Sequence, residues 1–289
     1  MIAGTSTGER VFHVINYIFL TLLGLCFGVP FYLIVIASFT DGDAFLANGY
    51  SLFPKKLSVD AYKKLFAGGQ IWRSFKSSLI ITIGGTLASV IGTSLVAYSV
   101  SKRDLVGRSI IMNVIVFAML FGGGMIPGYV LMIRLGLKNT YWAFILPGIL
   151  SIWNMILIRS YFYTISPAIE EAAKIDGCRH FRIYSTIFMP LSLPILATVT
   201  LFTAIGAWNN WMGPRLYIDT KHYNSMMPLS AWLKDMLEGS QNEIGKEPVF
   251  NSKVGEMATI VVTITPIMLV YPMLQKYFVK GIMVGSVKG

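Results

Sequence analysis

The residues best suited to chemistry are two adjacent carboxylates, Glu170 and Glu171, which begin the stretch EEAAKIDG. A carboxylate can pair with an arginine of a partner protein in bidentate fashion, or it can act as an acid or base in catalysis. The structure around the two glutamates decides which of these roles they can have.

Local signals predict a short helix of about ten residues around the two glutamates. In TISPAIEEAAKIDGCRHF, Ser166 can cap the helix, and Pro167 occupies a position where a missing N–H has no cost. The glutamates lie near the positive end of the helix dipole. Gly177 can adopt the left-handed conformation that ends a helix.

The predicted helix has a small apolar face with an acidic margin. The face comprises Ala168, Ala172 and Ile175, with Ala173 beside it and Glu171 and Asp176 at its edge. Such a face fits a groove on a partner. The alternative is a helix that touches only lipid headgroups, but anionic headgroups would repel two adjacent glutamates.

Composition indicates that this helix belongs to a membrane protein. The chain is 54% hydrophobic and 13% charged, whereas soluble domains contain about 25% charged residues. A spanning helix needs about 20 mostly apolar residues. Six windows lack Asp, Glu, Lys and Arg altogether: 14–38, 77–101, 109–133, 139–158, 183–214 and 257–275. We predict an all-α integral membrane protein with six transmembrane helices, rather than buried helices of a soluble protein, because no window carries a charged stripe at helical spacing.

Charge placement predicts the topology. Basic residues flank one tight connection (Lys102, Arg103 and Arg108) and follow the last span (Lys276, Lys280 and Lys288). The positive-inside rule then favours cytoplasmic termini. We expect a cytoplasmic N-terminus at 1–13, a six-span domain at 14–275 with a cytoplasmic loop at 164–190, outside loops at 39–76 and 215–256, and a cytoplasmic tail at 276–289.

The net charge of +10 has two interpretations. Basic residues beside a membrane commonly meet anionic lipid. Alternatively, the basic residues outside the membrane suit an acidic substrate, because a surface of one sign attracts ligands of the other.

The central stretch also resembles a known signature. Glu171-Ala172-Ala173 is followed, after three residues, by Gly177 and, after nine more, by Ile187, then by Met189 and Pro190. This spacing resembles the EAA motif in membrane subunits of bacterial ABC importers; leucine is usual where Met189 stands, a volume-conserving difference. AWNNW at 207–211 and the closing QKYFVKGIMVGSVKG are similar to maltose-type carbohydrate permeases. FGGGMIPGYVLMIRLGLKNTYWAFILP and NMILIRSYF resemble a subgroup for oligosaccharides and polysaccharides.

The resemblance implies a coupling helix that docks on a cytoplasmic ATPase, where Glu171 meets a basic residue. The docking residues it implies are Glu170, Glu171, Ala172, Ala173, Ile175, Asp176 and Gly177. It implies a bacterial cytoplasmic (inner) membrane location and several partners: two ABC ATPase subunits, a second, non-identical homologous permease, membrane lipid, and an extracytoplasmic binding protein that contacts the long outside loop before the last span. No nucleic acid is expected.

Missing features argue against other functions. The sequence has no G-x-x-x-x-G-K-[ST] loop, and GGGM at 122–125 lacks the lysine such a loop needs. We therefore expect no cofactor on this chain and ATP with magnesium on partner subunits. An ion-coupled secondary transporter is disfavoured because no window contains an ionisable relay. A glycosyl or acyl transferase is disfavoured because its nearest candidates, Asp41 and Asp43, are explained by an Asx-type turn.

A sugar pathway needs polar groups and flat aromatic faces inside the spans. The candidates are Asn113, Trp153, Asn154, Trp208, Asn209, Asn210 and Trp211. Buried Asn and Trp can instead tie helices together.

Overall fold

The computed structural model describes residues 7–219, 223–242 and 253–286. These residues are mostly helical and contain no β-strand, with one isolated bridge between Thr40 and Leu57. The all-α class is confirmed. The helices are α1 (Thr7–Ser38), α2 (Gly42–Asn48), α3 (Asp60–Ala67), α4 (Gln70–Ser101), α5 (Arg108–Leu120), α6 (Met125–Arg134), α7 (Trp142–Ile145), α8 (Ile152–Phe162), α9 (Pro167–Ile175), α10 (His180–Ile183), α11 (Met189–Leu191), α12 (Leu193–Asn209), α13 (Met212–Tyr217), α14 (Leu229–Asn242) and α15 (Lys253–Ser286).

The described residues provide three candidate membrane spans, or up to six if each bent helix pair counts as one span, the number that the six apolar windows predict. Among the described residues, α1, α4 and α15 are each long and apolar enough by themselves. The others are bent pairs: α5 with α6 at 109°, α7 and its following 3-10 turn with α8 at 43°, and α10–α11 with α12 at 84°.

The bends correct the expectation of six uninterrupted helices. The bend between α5 and α6 falls at three glycines, where Gly124 has a φ of 83°. The bend between α11 and α12 lies at Ser192, flanked by Pro190 and Pro194, which have no N–H to continue the helical hydrogen bonds. Hydropathy does not reveal such breaks, because glycine and proline interrupt a helix without adding charge to it.

Helix ends also differ from the apolar windows. α1 begins at Thr7 and α4 begins at Gln70, so residues 70–76, which we had assigned to an outside loop, are helical. A spanning helix can continue beyond the hydrocarbon through charged residues, because their side chains reach water there. The absence of charge therefore marks the apolar core of a span rather than its helical limits. Residues 1–6 and 287–289 of the predicted terminal segments, and 220–222 and 243–252 of the second outside loop, lie outside the described residues.

The chain divides into two compact units. The first unit comprises residues 1–69 and 236–264. Its core joins Ala37, Phe45, Val254 and Met257. Asp41 caps α2 by accepting from Ala44 N at 3.4 Å, and it pairs with Lys56 at 3.0 Å. The hydrogen bond from Lys56 lowers the pKa of Asp41. Asp41 therefore has a structural role as the cap of α2.

The second unit comprises residues 70–235 and 265–289, and its core forms where α4, α8 and α12 pack together. Buried members include Tyr98, Ile158, Ile183 and Val199. α4 carries many small residues on its buried side, and small residues let helix backbones approach closely in membranes. At one point Thr93 of α4 donates to Ile149 O at 3.1 Å and accepts from Ser151 N at 3.2 Å. This side chain satisfies backbone groups freed by the break before α8.

Candidate functional site

The helix that carries the two glutamates is α9, and its start differs slightly from the expectation. Pro167 occupies the first turn as predicted. Ser166 holds the N-cap position, but its side chain makes no capping hydrogen bond; its carbonyl instead accepts from Ile169 N at 3.2 Å. Proline fixes the backbone of this first turn, so the helix can begin without the serine hydroxyl.

The end of α9 follows the prediction. Gly177 has a φ of 79°. Its N–H donates to Lys174 O at 3.0 Å, and Cys178 N donates to Ala173 O at 2.9 Å. These paired bonds are the Schellman arrangement that ends helices at a left-handed residue.

Replacing Gly177 tests whether this turn matters for docking. A Cβ at Gly177 would have no atom within 4 Å, so any penalty arises from the positive φ alone. We expect Gly177→Val to destabilise the turn by about 1–2 kcal/mol, because L side chains disfavour this conformation, and to reduce the amount of ATPase subunit that co-purifies with the chain. Gly177→Asn is the matched control, because asparagine tolerates left-handed backbone. Equal co-purification by the Val variant and the native chain would contradict the prediction.

The candidate docking residues divide between two sides of α9. Ala173 is 6% exposed and belongs to the core of the second unit, and the Glu170 side chain is 15% exposed. The others are exposed: Glu171, Ala172, Ile175, Asp176 and Gly177. Ala173, which the sequence placed beside the outer face, thus helps to anchor the helix.

Glu170 is held by two lysines. Its Oε2 lies 2.6 Å from Lys102 Nζ, and its Oε1 lies 3.1 Å from Lys174 Nζ. Burial raises the pKa of Glu170, but the hydrogen bond from Lys102 and the ion pair with Lys174 outweigh burial, so this pKa lies below its ordinary value. The carboxylate is therefore stabilised in its ionised form.

Lys102 is a functional candidate that the sequence analysis treated only as a topology signal. Its Nζ lies 3.8 Å from the centroid of the Tyr98 ring and 4.3 Å from that of Phe188. Burial lowers the pKa of Lys102, and the hydrogen bond with Glu170 offsets only part of this change. A cavity of about 290 Å³ opens beside the pair, lined partly by Arg103, Ser166 and Glu171. The one available signal was the position of Lys102, directly after a span and within a basic cluster.

The segment after α9 adds exposed apolar side chains. Phe181 is 71% exposed and Ile175 is 87% exposed. A π-helical turn, Tyr184–Phe188, follows α10. It holds Tyr184 in the core, where the tyrosine OH lies 2.8 Å from Ser94 Oγ of α4. Exposed apolar residues beside acidic ones are typical of a surface that another protein covers.

Two candidate pathway residues face the interior of the chain. Asn154 is 8% exposed, and its side chain donates to Thr203 Oγ1 of α12 at 3.3 Å. Trp208 is 5% exposed and meets Phe75 edge-on, with ring centroids 6.1 Å apart. Both side chains bind helices together, which is the alternative role given above.

The other pathway candidates are exposed on this chain: Asn113, Trp153, Asn209, Asn210 and Trp211. Two cations lie near the Trp211 ring, with Arg215 at 5.7 Å and Lys234 at 5.2 Å from its centroid. Arg215 also pairs with Asp235 at 2.8 Å. The structure thus brings a flat aromatic face and two cations together, a combination that the sequence analysis did not anticipate.

The part of the chain that the structure describes contains no group of three His, Cys, Asp or Glu side chains able to hold a metal ion. The candidate functional site is therefore a binding surface. It is the exposed side of α9, a helix whose other side is held to the chain by Glu170 and Ala173.

The chain is similar to several known transport proteins. The family model described as "Binding-protein-dependent transport system inner membrane component" matches residues 1–284. The Polygalacturonan/rhamnogalacturonan transport system permease protein YtcP of Bacillus subtilis (strain 168) is 38% identical over 287 residues, which cover 97% of this chain and 99% of that protein. The Arabinooligosaccharides transport system permease protein AraQ of Halalkalibacterium halodurans is 31% identical over 265 residues, or 90% and 91% of the two chains.

A solved structure is similar over nearly the whole chain. It is a chain of a bacterial ABC transporter involved in the import of the acidic polysaccharide alginate, with a TM-score of 0.86 and 31% identity over 95% of this chain and 99% of that one. Together with the family match, this similarity confirms a multi-pass membrane architecture. The chain belongs to the binding-protein-dependent transport system inner membrane components, which are transport permeases and not enzymes.

Proposed function

We propose that this permease takes up oligosaccharides that carry carboxylates, and that a cytoplasmic ATPase drives it through α9. The observation that carries the docking part is the division of α9 into an anchored side and an exposed side. Glu170 and Ala173 fix the helix to the chain, and Glu171, Ile175 and Asp176 remain available to a partner. A helix that is fixed on one side and has an exposed acidic and apolar face on the other can bind the ATPase and transmit its movement to the rest of the chain.

The chemistry of the exposed face supports an ATPase partner that is basic at its docking groove. Ile175 and Phe181 supply apolar area that a groove can bury. Glu171 can pair with an arginine at the margin of that groove. ATP and magnesium then belong to the ATPase subunits, since this sequence has no phosphate-binding loop of its own.

This docking surface must lie in the cytoplasm, where ATP is available. Four of the six proposed spans precede α9 and two follow it, so both termini lie on the same side of the membrane as α9. Lys102, Arg103 and Arg108 then lie on the same side as α9, as the positive-inside rule favours. The segments between α1 and α4 and between α13 and α15 then face outward, and the second supplies a surface for a binding protein.

A second, homologous permease subunit completes the pathway in this proposal. Asn113 on α5 and Asn209 at the end of α12 are exposed on the isolated chain. Amide side chains are costly against lipid unless they find hydrogen bonds. A neighbouring permease would cover these groups and enclose a polar route between the two subunits.

The acidic-substrate part rests on Trp211 and its two cations. A pyranose ring can stack on the indole, and a carboxylate on that ring can meet Arg215 or Lys234. YtcP is named for polygalacturonan and rhamnogalacturonan, and the structural relative is described as an importer of an acidic polysaccharide. AraQ is named for arabinooligosaccharides, which lack this charge, so the family alone does not select an acidic substrate.

The substrate proposal is tested by uptake into proteoliposomes that contain the assembled importer and its binding protein. The substrates are oligogalacturonates and the same oligomers with their carboxylates methyl-esterified, which removes charge and keeps the sugar backbone. We expect the free acid to be taken up at least about tenfold faster, equivalent to about 1.4 kcal/mol of preference. Equal or faster uptake of the ester would refute an acidic substrate.

A further inference from the structure

Glu170 is already occupied within the chain. Its side chain is 15% exposed, and its carboxylate contacts one lysine through each oxygen, at 2.6 Å and 3.1 Å. Glu171, the next residue, is exposed. The two glutamates therefore have different roles, although the sequence presents them as equivalent.

Lys102, which makes the 2.6 Å contact, connects α4, the π-helical turn and α9. Lys102 directly follows the last residue of α4, Ser101. Its side chain is 11% exposed, and its ammonium lies over Tyr98 of α4 and Phe188 of the π-helical turn. Aromatic faces stabilise a cation most strongly when water is excluded. Lys102 thus has a fixed position from which it reaches α9.

The end of α4 is held on its other side by α8. Arg159 Nε donates to Val100 O at 3.2 Å. The α4 terminus therefore has directional contacts to α8 and to α9. The apolar contact of Ala173 with the core lacks such direction and permits small shifts.

We infer that the Lys102–Glu170 ion pair clamps α9 to the cytoplasmic end of α4, so that a displacement of α9 moves this span directly. The inference rests on the docking role proposed above. Lys102 and Glu170 are positioning residues: they transmit the movement, and Glu171 meets the motor. A partly buried ion pair suits this task because breaking it leaves an uncompensated charge.

The first test separates transmission from docking in the complete importer. Glu170→Gln and Lys102→Met should still co-purify with the ATPase and hydrolyse ATP, while uptake per ATP falls about tenfold, within the range of allosteric coupling between sites. Lys102→Arg keeps the positive charge and should retain most of the native uptake per ATP. The double variant should be no worse than either single variant, since both remove the same contact.

Matched controls come from an exposed ion pair elsewhere in the chain. Lys63 and Asp60 on α3 lie 3.3 Å apart with side chains 72% and 65% exposed. Lys63→Met and Asp60→Asn should leave uptake per ATP unchanged, because exposed pairs contribute little.

A spectroscopic measurement tests the clamp independently of activity. Spin labels replace Arg103, an exposed residue after α4, and Ile169 of α9, which is 42% exposed; Lys174 is kept because it also contacts Glu170. In the assembled importer, the distance between the labels should stay constant between nucleotide-free and ATP-bound states. The distance distribution should broaden or shift with ATP in the Glu170→Gln variant.

The clamp would be overturned by an unchanged uptake-to-ATP ratio in both single variants, by additive losses in the double variant, or by a label distance that changes with ATP in the native chain. Loss of ATPase co-purification in Glu170→Gln would also refute it, by making Glu170 a docking residue. If Glu171→Arg has no effect while the clamp variants lose uptake, the docking proposal fails and the clamp does not.

Discussion

Glu171→Arg is expected to abolish uptake and substrate-stimulated ATP hydrolysis in the assembled importer, while the chain still folds and inserts. Glu171 is exposed on α9, and no ion pair among the described residues involves it. Reversing its charge therefore leaves the interior of the chain intact. Against a basic groove the arginine places like charges together, which costs several kcal/mol, so docking should weaken at least about 100-fold. Uptake of labelled substrate, ATPase activity and co-purification measure the effect.

Asp43→Arg is the matched control for this variant. Asp43 is also an exposed acid on a short helix, α2, but that helix belongs to the first unit and to the proposed outside loop. The charge change is identical, so a general effect of added positive charge would appear in both variants. Normal uptake by Glu171→Arg would remove the docking role of Glu171.

Much of the fold could be predicted because a membrane constrains sequence strongly. A span must exclude charge over its apolar core, so the six charge-free windows locate six helical segments. The bends could not be predicted in the same way. The glycines before α6 permit either close packing or a sharp turn, and only the surrounding packing selects the 109° bend.

In the candidate site, features set by neighbouring residues could be predicted from the sequence, and features set by distant residues could not. Pro167 and Gly177 define the ends of α9 through contacts within a few residues, so sequence predicted both. The inward direction of Glu170 depends on Lys102, which is 68 residues away in the chain. No pattern in EEAAKIDG contains that information. Asn154 is similar, because its role depends on Thr203 in a helix that follows much later.

The second large effect is expected where α4 passes the break before α8. Gly92 has no side chain, and a Cβ built there would lie 2.6 Å from Ile149 Cγ2 and 3.0 Å from Ile149 O. The second contact is with backbone, which a rotamer change cannot relieve. The same carbonyl accepts from Thr93 at 3.1 Å, so pushing it away also disturbs a hydrogen bond in the core.

We expect Gly92→Val to eliminate most correctly folded chain and Gly92→Ala to destabilise it by about 1–3 kcal/mol, the usual cost of overpacking. Gly85 provides the matched control, because it lies in α4 and a Cβ there would meet nothing within 4 Å. Gly85→Ala should be neutral or stabilising by up to about 1 kcal/mol, since alanine favours helix more than glycine does. The same substitution should thus have opposite signs at two positions of one helix. Thermal unfolding in detergent with size-exclusion yield measures both, and equal midpoints for the two alanine variants would show that α4 and the α7–α8 break do not pack this closely.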